Sequence, residues 1–119
     1  MTKLIFCATP SRLENKKESI MDFVTKQGFG PLHPFQALPL KRFEHGPIGR
    51  KKCMEFCLRL IDAADEFWVF GISKGTMQEI KYAAEKRKII RLFLEWDPDW
   101  KKFYEELKKE YGEVLKIFK

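Results

Sequence analysis

Apolar positions along this chain fall into two rhythms, short unbroken runs and stripes at helical spacing. Leu4 to Ala8 is a continuous apolar run, the pattern of a strand buried on both faces. Thr9-Pro10-Ser11 breaks it. A helix is predicted from Glu14 to Gln27, with Leu13, Ile20, Phe23 and Val24 inward and Gly28 as its stop. From Gly30 to Gly46 the period disappears among five prolines and glycines. That stretch reads as a long loop with a short strand around Phe35 to Leu38. Ile48 to Ala64 returns to helical spacing through Cys53, Phe56, Cys57, Leu60, Ile61 and Ala64. Phe67 to Ile72 is a second apolar strand. Thr76, Met77, Ile80, Ala83 and Ala84 mark a helix reaching about Arg87, and Ile89 to Leu94 is a third strand. Pro98 to Tyr111 predicts an amphipathic helix around Trp100, Phe103, Tyr104 and Leu107. Gly112 ends it, and an apolar tail of Val114, Leu115, Ile117 and Phe118 must pack somewhere. Strands alternating with helices predict a single α/β domain, residues 1–119, with a small parallel sheet covered on both faces.

Composition narrows the function classes. A chain of 119 residues, 45% hydrophobic and with 11 Phe, is long enough for one real core. No run approaches the roughly 18 apolar residues that span a membrane. The stretch before Thr9 is too short for a signal peptide, so a cytoplasmic protein is expected. Net charge is +6, unevenly spread: residues 1–60 hold 11 basic and 5 acidic side chains, whereas residues 61–80 hold 1 and 4. Lys41-Arg42 and Arg50-Lys51-Lys52 flank the turn His45-Gly46-Pro47, a basic cluster suited to a phosphate, to nucleic acid or to solvent. The aromatics read as interior and no nucleic-acid motif is present, so a nucleic-acid partner is not expected. Cys7, Cys53 and Cys57 sit on apolar elements and imply no disulfide framework. Cys53 and Cys57 lie one helical turn apart, but no second Cys or His pair matches them. They read as buried thiols, and no metal is expected.

The chemistry concentrates in Ala64 to Ile80, where an aromatic strand runs into Ser73-Lys74-Gly75 and a helix opens behind it. Strand ends and helix N-termini converge at such a turn, which is where open α/β sheets bind ligands. Ser73 is a favoured N-cap. Gly75 in a first helical turn costs about 0.5–1 kcal/mol relative to alanine, which close approach by a ligand would offset. Glu79 lies about 100° around the helix from Ile80, at the rim of the core and half sheltered, where the helix dipole favours its charge. Asp65, between helix and strand, is given no chemistry. Arg12 reads as a phosphate clamp or a solvated first-turn residue. His33, between prolines, reads as a loop residue or a contact to a base.

In order and spacing, residues 3–94 resemble the nucleoside 2-deoxyribosyltransferase-like superfamily, which includes deoxyribosyltransferases and deoxynucleoside 5′-monophosphate N-glycosidases. Three places carry the resemblance: Ala64-Asp65 with the strand and Ser73, Gly75 and Glu79; the first strand and turn, Phe6 to Arg12; and the loop Pro31-Leu32-His33-Pro34-Phe35. It implies a Rossmann-like or flavodoxin-like sheet, with Glu79 as a nucleophile at the anomeric carbon of a deoxyribose. It places Ser73 and Gly75 at the 5′ end of the sugar or its phosphate, with Thr9, Ser11 and Arg12 lining the same pocket. It implies no metal or organic cofactor and, together with the apolar tail, a homodimer. Enzymes of that superfamily carry an aspartate in the helix before the Ala-Asp pair. Counting back from Asp65 that position is Cys57; counting back from Glu79 it is Glu55. The expected function is cleavage or transfer of an N-glycosidic bond in a nucleoside or nucleotide. The alternative is a non-catalytic nucleotide-binding module of the same fold.

Overall fold

The computed structural model describes residues 2–43 and 45–118; Met1, Glu44 in the 30–46 loop, and Lys119 lie outside them. Four strands form one parallel sheet: β1 (Leu4–Ala8), β2 (Gly30–Leu32), β3 (Glu66–Val69) and β4 (Ile89–Leu92), in the order β2-β1-β3-β4. The chain leaves β1 in one direction to β2, then reverses past it to β3 and β4. That is the winding of a Rossmann-like or flavodoxin-like α/β sheet, with its switch point between β1 and β3. Among the described residues, five α-helices cover it: α1 (Lys17–Lys26), α2 (Pro34–Ala37), α3 (Arg50–Ala63), α4 (Lys74–Glu85) and α5 (Trp100–Tyr111).

Strand alternation divides the core between the two faces. Ile5, Cys7, Trp68 and Phe70 point to the α1 side, where Ile20 and Val24 meet them beside Phe23, Phe93 and Trp96. Phe6, Ala8, Phe67 and Val69 point to the other side and pack on Cys57 and Ile61 of α3 and on Met77, Ile80 and Ala83 of α4. Phe6 and Phe67, register partners, stack with ring centroids 5.2 Å apart. Glu66 opens β3 almost fully buried, yet it accepts hydrogen bonds from Trp68 Nε1, Arg91 and Lys3. Burial alone would raise its carboxyl, but those three donors outweigh it and hold the group below the ordinary carboxylate range.

Several elements differ from the sequence expectation, each for a local reason. The chain after β1 does not enter an α-helix at Glu14; a 3-10 turn runs from Ser11 to Lys16, with Leu13 out of helical geometry, before α1 starts. Gly28 ends α1 at φ +90°, a conformation that favours glycine. The short strand lies at Gly30–Leu32 rather than around Phe35. Pro31 is tolerated there because β2 is an edge strand. Phe35 belongs instead to α2, where Pro34 sits in the first turn and the His33 ring caps the Phe35 N–H. The β3 ladder stops at Val69, with one further bond from Phe70 N to Ala8 O. Gly71 then passes so close to its neighbours that a Cβ would stand 2.7 Å from Pro10 and 2.9 Å from Asp97 Oδ2. The C-terminal tail folds back on its own chain: Leu115 is buried in the α3–α4 core, with Val114, Ile117 and Phe118 against it. Among the described residues, no helix is long and apolar enough to cross a membrane.

Candidate functional site

A cleft opens at the carboxyl ends of β1 and β3, the switch point of the sheet. Thr9 and Ser11 enter it from the segment after β1, and Ser73, Gly75, Thr76 and Glu79 from the turn and first half of α4. The opposite wall comes from Pro34, Phe35 and Leu38 at α2, and from Arg50, Cys53, Met54 and Cys57 along one face of α3. Its enclosed volume is about 80 Å³, room for a few waters and well short of a drug-sized ligand's pocket of roughly 300 Å³ or more. The tips of Arg50 and Met54, flexible side chains, hang over the Gly75 turn. Arg50 Nη2 and Met54 Cε each lie 3.9 Å from where a Gly75 Cβ would stand.

The turn itself is built by capping. Ser73 Oγ accepts from Thr76 N at 3.1 Å, and Thr76 Oγ1 accepts from Ser73 N at 2.7 Å, a closed capping box. Ser73 is therefore an N-cap and a wall of the cleft at once. Gly75 has no steric reason inside the fold: a Cβ there would meet nothing nearer than 3.9 Å. Alanine would suit the helix better by about 0.5–1 kcal/mol. What alanine would narrow is the cleft.

Glu79 is not at a half-sheltered rim; it is 6% exposed, on the floor of the cleft. The correction follows from α3, which packs across α4 and buries the flank carrying Thr76, Glu79 and Ala83. From α3, Cys57 hydrogen-bonds the Glu79 carboxylate, and Cys53 lies within bonding reach of Cys57. Burial first, then the charge and hydrogen bond of Glu79, hold the Cys57 thiol far above its ordinary range, so it stays protonated. Glu55, the other position reached by counting, is exposed on the outer side of α3 and does not line the cleft. Among the described residues, no three His, Cys, Asp or Glu side chains are grouped to hold a metal ion.

Two expected site residues have other work. Arg12 does not line the cleft; its guanidinium pairs with Asp97 Oδ2 at 2.5 Å, donates to the Ile72 carbonyl at 2.9 Å and lies over the Phe103 ring. His33 does not line it either: it is 1% exposed, behind Thr9. The Phe35 N–H donates to His33 Nδ1 at 3.1 Å, so the ring proton sits on Nε2 and donates to Thr9 Oγ1 at 3.1 Å. Thr9 in turn donates to the Cys7 carbonyl at 3.0 Å. This relay fixes the end of β1 and the first turn of α2 and is satisfied only by neutral imidazole.

Burial, reinforced by the charge of Lys17, lowers the His33 pKa from 6.5 to about 4. An unfolded chain binds this proton first as the pH falls, so the contribution is complete above pH 6.5 and is lost on acidification through about pH 4. The loss should amount to about 3 kcal/mol. Denaturant unfolding of wild type and His33→Gln between pH 7 and pH 4 should show this slope in the wild type alone. Equal slopes would contradict the assigned tautomer network.

Fold and site together define a small doubly wound α/β protein with a buried carboxylate in a cleft at its switch point. Residues 8–93 match the family described as Domain of unknown function (DUF7768), and the chain belongs to that family. The matched span runs from the last residue of β1 through β4 and includes every residue of the cleft wall. No curated protein and no solved structure matches the chain.

Proposed function

We propose that this protein cleaves or transfers the N-glycosidic bond of a deoxynucleoside or, preferentially, its 5′-monophosphate, with Glu79 as the nucleophile. The observation carrying this reading is the placement of Glu79: a carboxylate at the buried floor of the cleft, one turn behind a helix N-terminus that favours its ionised form. In the reaction, a Glu79 oxygen bonds to C1′ as the C1′–N bond breaks. The bond's electron pair leaves on the base, which takes a proton from water. Water then hydrolyses the glycosyl ester and returns the carboxylate, or a second base takes the sugar in a transfer. The N–H groups at the start of α4 and the Arg50 guanidinium above Gly75 provide a place for the 5′-phosphate, which is why the monophosphate is preferred. Arg50, rather than Arg12, is the cation placed to clamp that phosphate. With about 80 Å³ enclosed, a nucleotide enters by swinging the Arg50 and Met54 side chains outward. The chemistry calls for no metal or organic cofactor. A homodimer is part of the same reading. Its support is now the open edge of β4, where Ile89 is 51% exposed, because the tail covers its own core.

A non-catalytic nucleotide-binding module is the second reading, favoured by the thiol that faces Glu79 where a second carboxylate would serve as acid. One experiment separates the two. Wild-type protein is incubated with deoxyribo- and ribonucleosides and their 5′-monophosphates, and free base is measured by chromatography. Base release, faster from monophosphates, is expected. Tight binding of monophosphates with no base released over days would assign the binding module, and neither binding nor release would end both readings.

A further inference from the structure

The cleft contains a buried donor that its sequence pattern disguises as core. Cys57 is 5% exposed and lies on the α3 face that packs against β3 and α4, so as a sequence position it is one more apolar residue of that face. Yet its sulfur borders the cleft, and its hydrogen bond goes to Glu79 across the α3–α4 seam. We infer that Cys57 is a positioning residue, whose S–H donates to the Glu79 carboxylate and fixes the orientation and ionised state of that group. The inference rests on the proposed function only for its kinetic consequence; the contact itself exists whether or not the protein turns over a substrate.

Chemistry favours this role over the other uses of a thiol. Burial and the facing carboxylate both favour the protonated thiol over the thiolate that a nucleophile or metal ligand needs. A buried S–H beside a carboxylate has one strong acceptor available, and charge-assisted hydrogen bonds are about twice as strong as neutral ones. Other groups line the cleft beside Glu79. Arg50 stands exposed at the mouth and Cys53 behind Cys57 on α3; the β1 end and the α4 turn contribute only hydroxyls from Thr9, Ser11, Ser73 and Thr76, and α2 contributes no charge. Removing the Cys57 donor, which points at the carboxylate itself, should register on the Glu79 proton.

The test reads that proton. Glutamate side-chain carboxyls are labelled with carbon-13, the Glu79 signal is assigned by its absence in Glu79→Gln, and its titration is followed in wild type, Cys57→Ala, Cys57→Val and Cys57→Ser. Alanine and valine, which lack a donor, should move the midpoint up by about one pH unit, and serine, which keeps a donor, should return it toward wild type. Valine fills the site where alanine empties it, so the comparison survives if alanine fails to fold. An unmoved midpoint in both donorless variants would overturn the inference, as would an upward shift that serine does not reverse. If base release is observed, the acid limb of its kcat/KM profile should move with the NMR midpoint. A shifted midpoint in a protein that releases no base would leave the positioning role standing and remove the glycosidase.

Discussion

Replacing Glu79 by glutamine is expected to lower base release by about 10³-fold or more while leaving the fold intact. Glutamine keeps the volume of the side chain and an acceptor oxygen for the Cys57 thiol, so packing between α3 and α4 should survive. It does not keep the nucleophile: an amide oxygen at C1′ carries no negative charge, and the glycosyl ester cannot form. A loss of 10³ corresponds to about 4 kcal/mol of transition-state stabilisation, within the range seen when a covalent catalyst is deleted. Glu79→Ala adds a sharper signature. It leaves a space on the floor of a cleft that already holds about 80 Å³, enough for a small anion such as azide or formate. That anion should attack C1′ directly and restore release, giving a product of opposite anomeric configuration, since one displacement replaces two. If Glu79 were a buried structural acid only, glutamine would lower the melting temperature and activity would fall no further than the folded fraction. Rates, melting curves and anomer analysis on the same preparations separate these outcomes.

How far the sequence revealed this arrangement depends on how local each signal was. The bounds of β1 are those of the apolar run Leu4 to Ala8, because nothing but burial on both faces suits such a run. The edge strand β2 had no signature: three residues containing glycine and proline are paired by their neighbour β1 rather than by propensity. The site shows the same division. Ser73, Gly75 and Glu79 were legible together because one strand-turn-helix segment carries all three, and Thr9 and Ser11 because they end the neighbouring strand. Arg50 and Met54 were not, because they reach the cleft only through the packing of α3 across α4, and Cys57 was reached only by counting back from Asp65. No local pattern distinguishes a cysteine that meets a carboxylate from one that meets leucine. Arg12 and His33 were legible as polar residues near the site and misread in role. Their partners, Asp97 for one and Thr9 for the other, are set by strand order, 85 and 24 residues away in the chain.

Asp97 drew no attention in the sequence, and its removal should cost more stability than that of any residue singled out there. Its side chain is fully buried and accepts from three groups in three parts of the chain. Oδ2 receives Arg12 from the segment after β1 and the Ile72 N–H from the segment after β3, the latter at 3.0 Å; Oδ1 receives the Asp99 N–H at 3.0 Å. One carboxylate thus pins the ends of β1, β3 and β4 over the same edge of the sheet. A further contact is steric: Oδ2, together with the Pro10 ring, leaves position 71 space for glycine alone. In Asp97→Ala the Ile72 N–H and the Arg12 guanidinium lose their acceptor together. Breaking a buried pair in this way costs about 3–5 kcal/mol, a large part of the 5–15 kcal/mol typical of a domain's whole stability. The melting temperature should drop by on the order of 10–20 °C. Arg12→Ala should also destabilise, since it leaves a buried anion facing only N–H groups. If Arg12 were instead a substrate clamp, its removal would weaken nucleotide binding and leave the melting curve in place. The double variant Arg12→Met, Asp97→Leu removes both charges, and a cost well below the sum of the singles would show that the pair acts as a unit. The functional consequence runs through Ile72, whose N–H is held one residue before Ser73. Loosening it frees the capping turn that aims α4, so residual activity in Asp97→Asn should fall even at temperatures where that variant is fully folded.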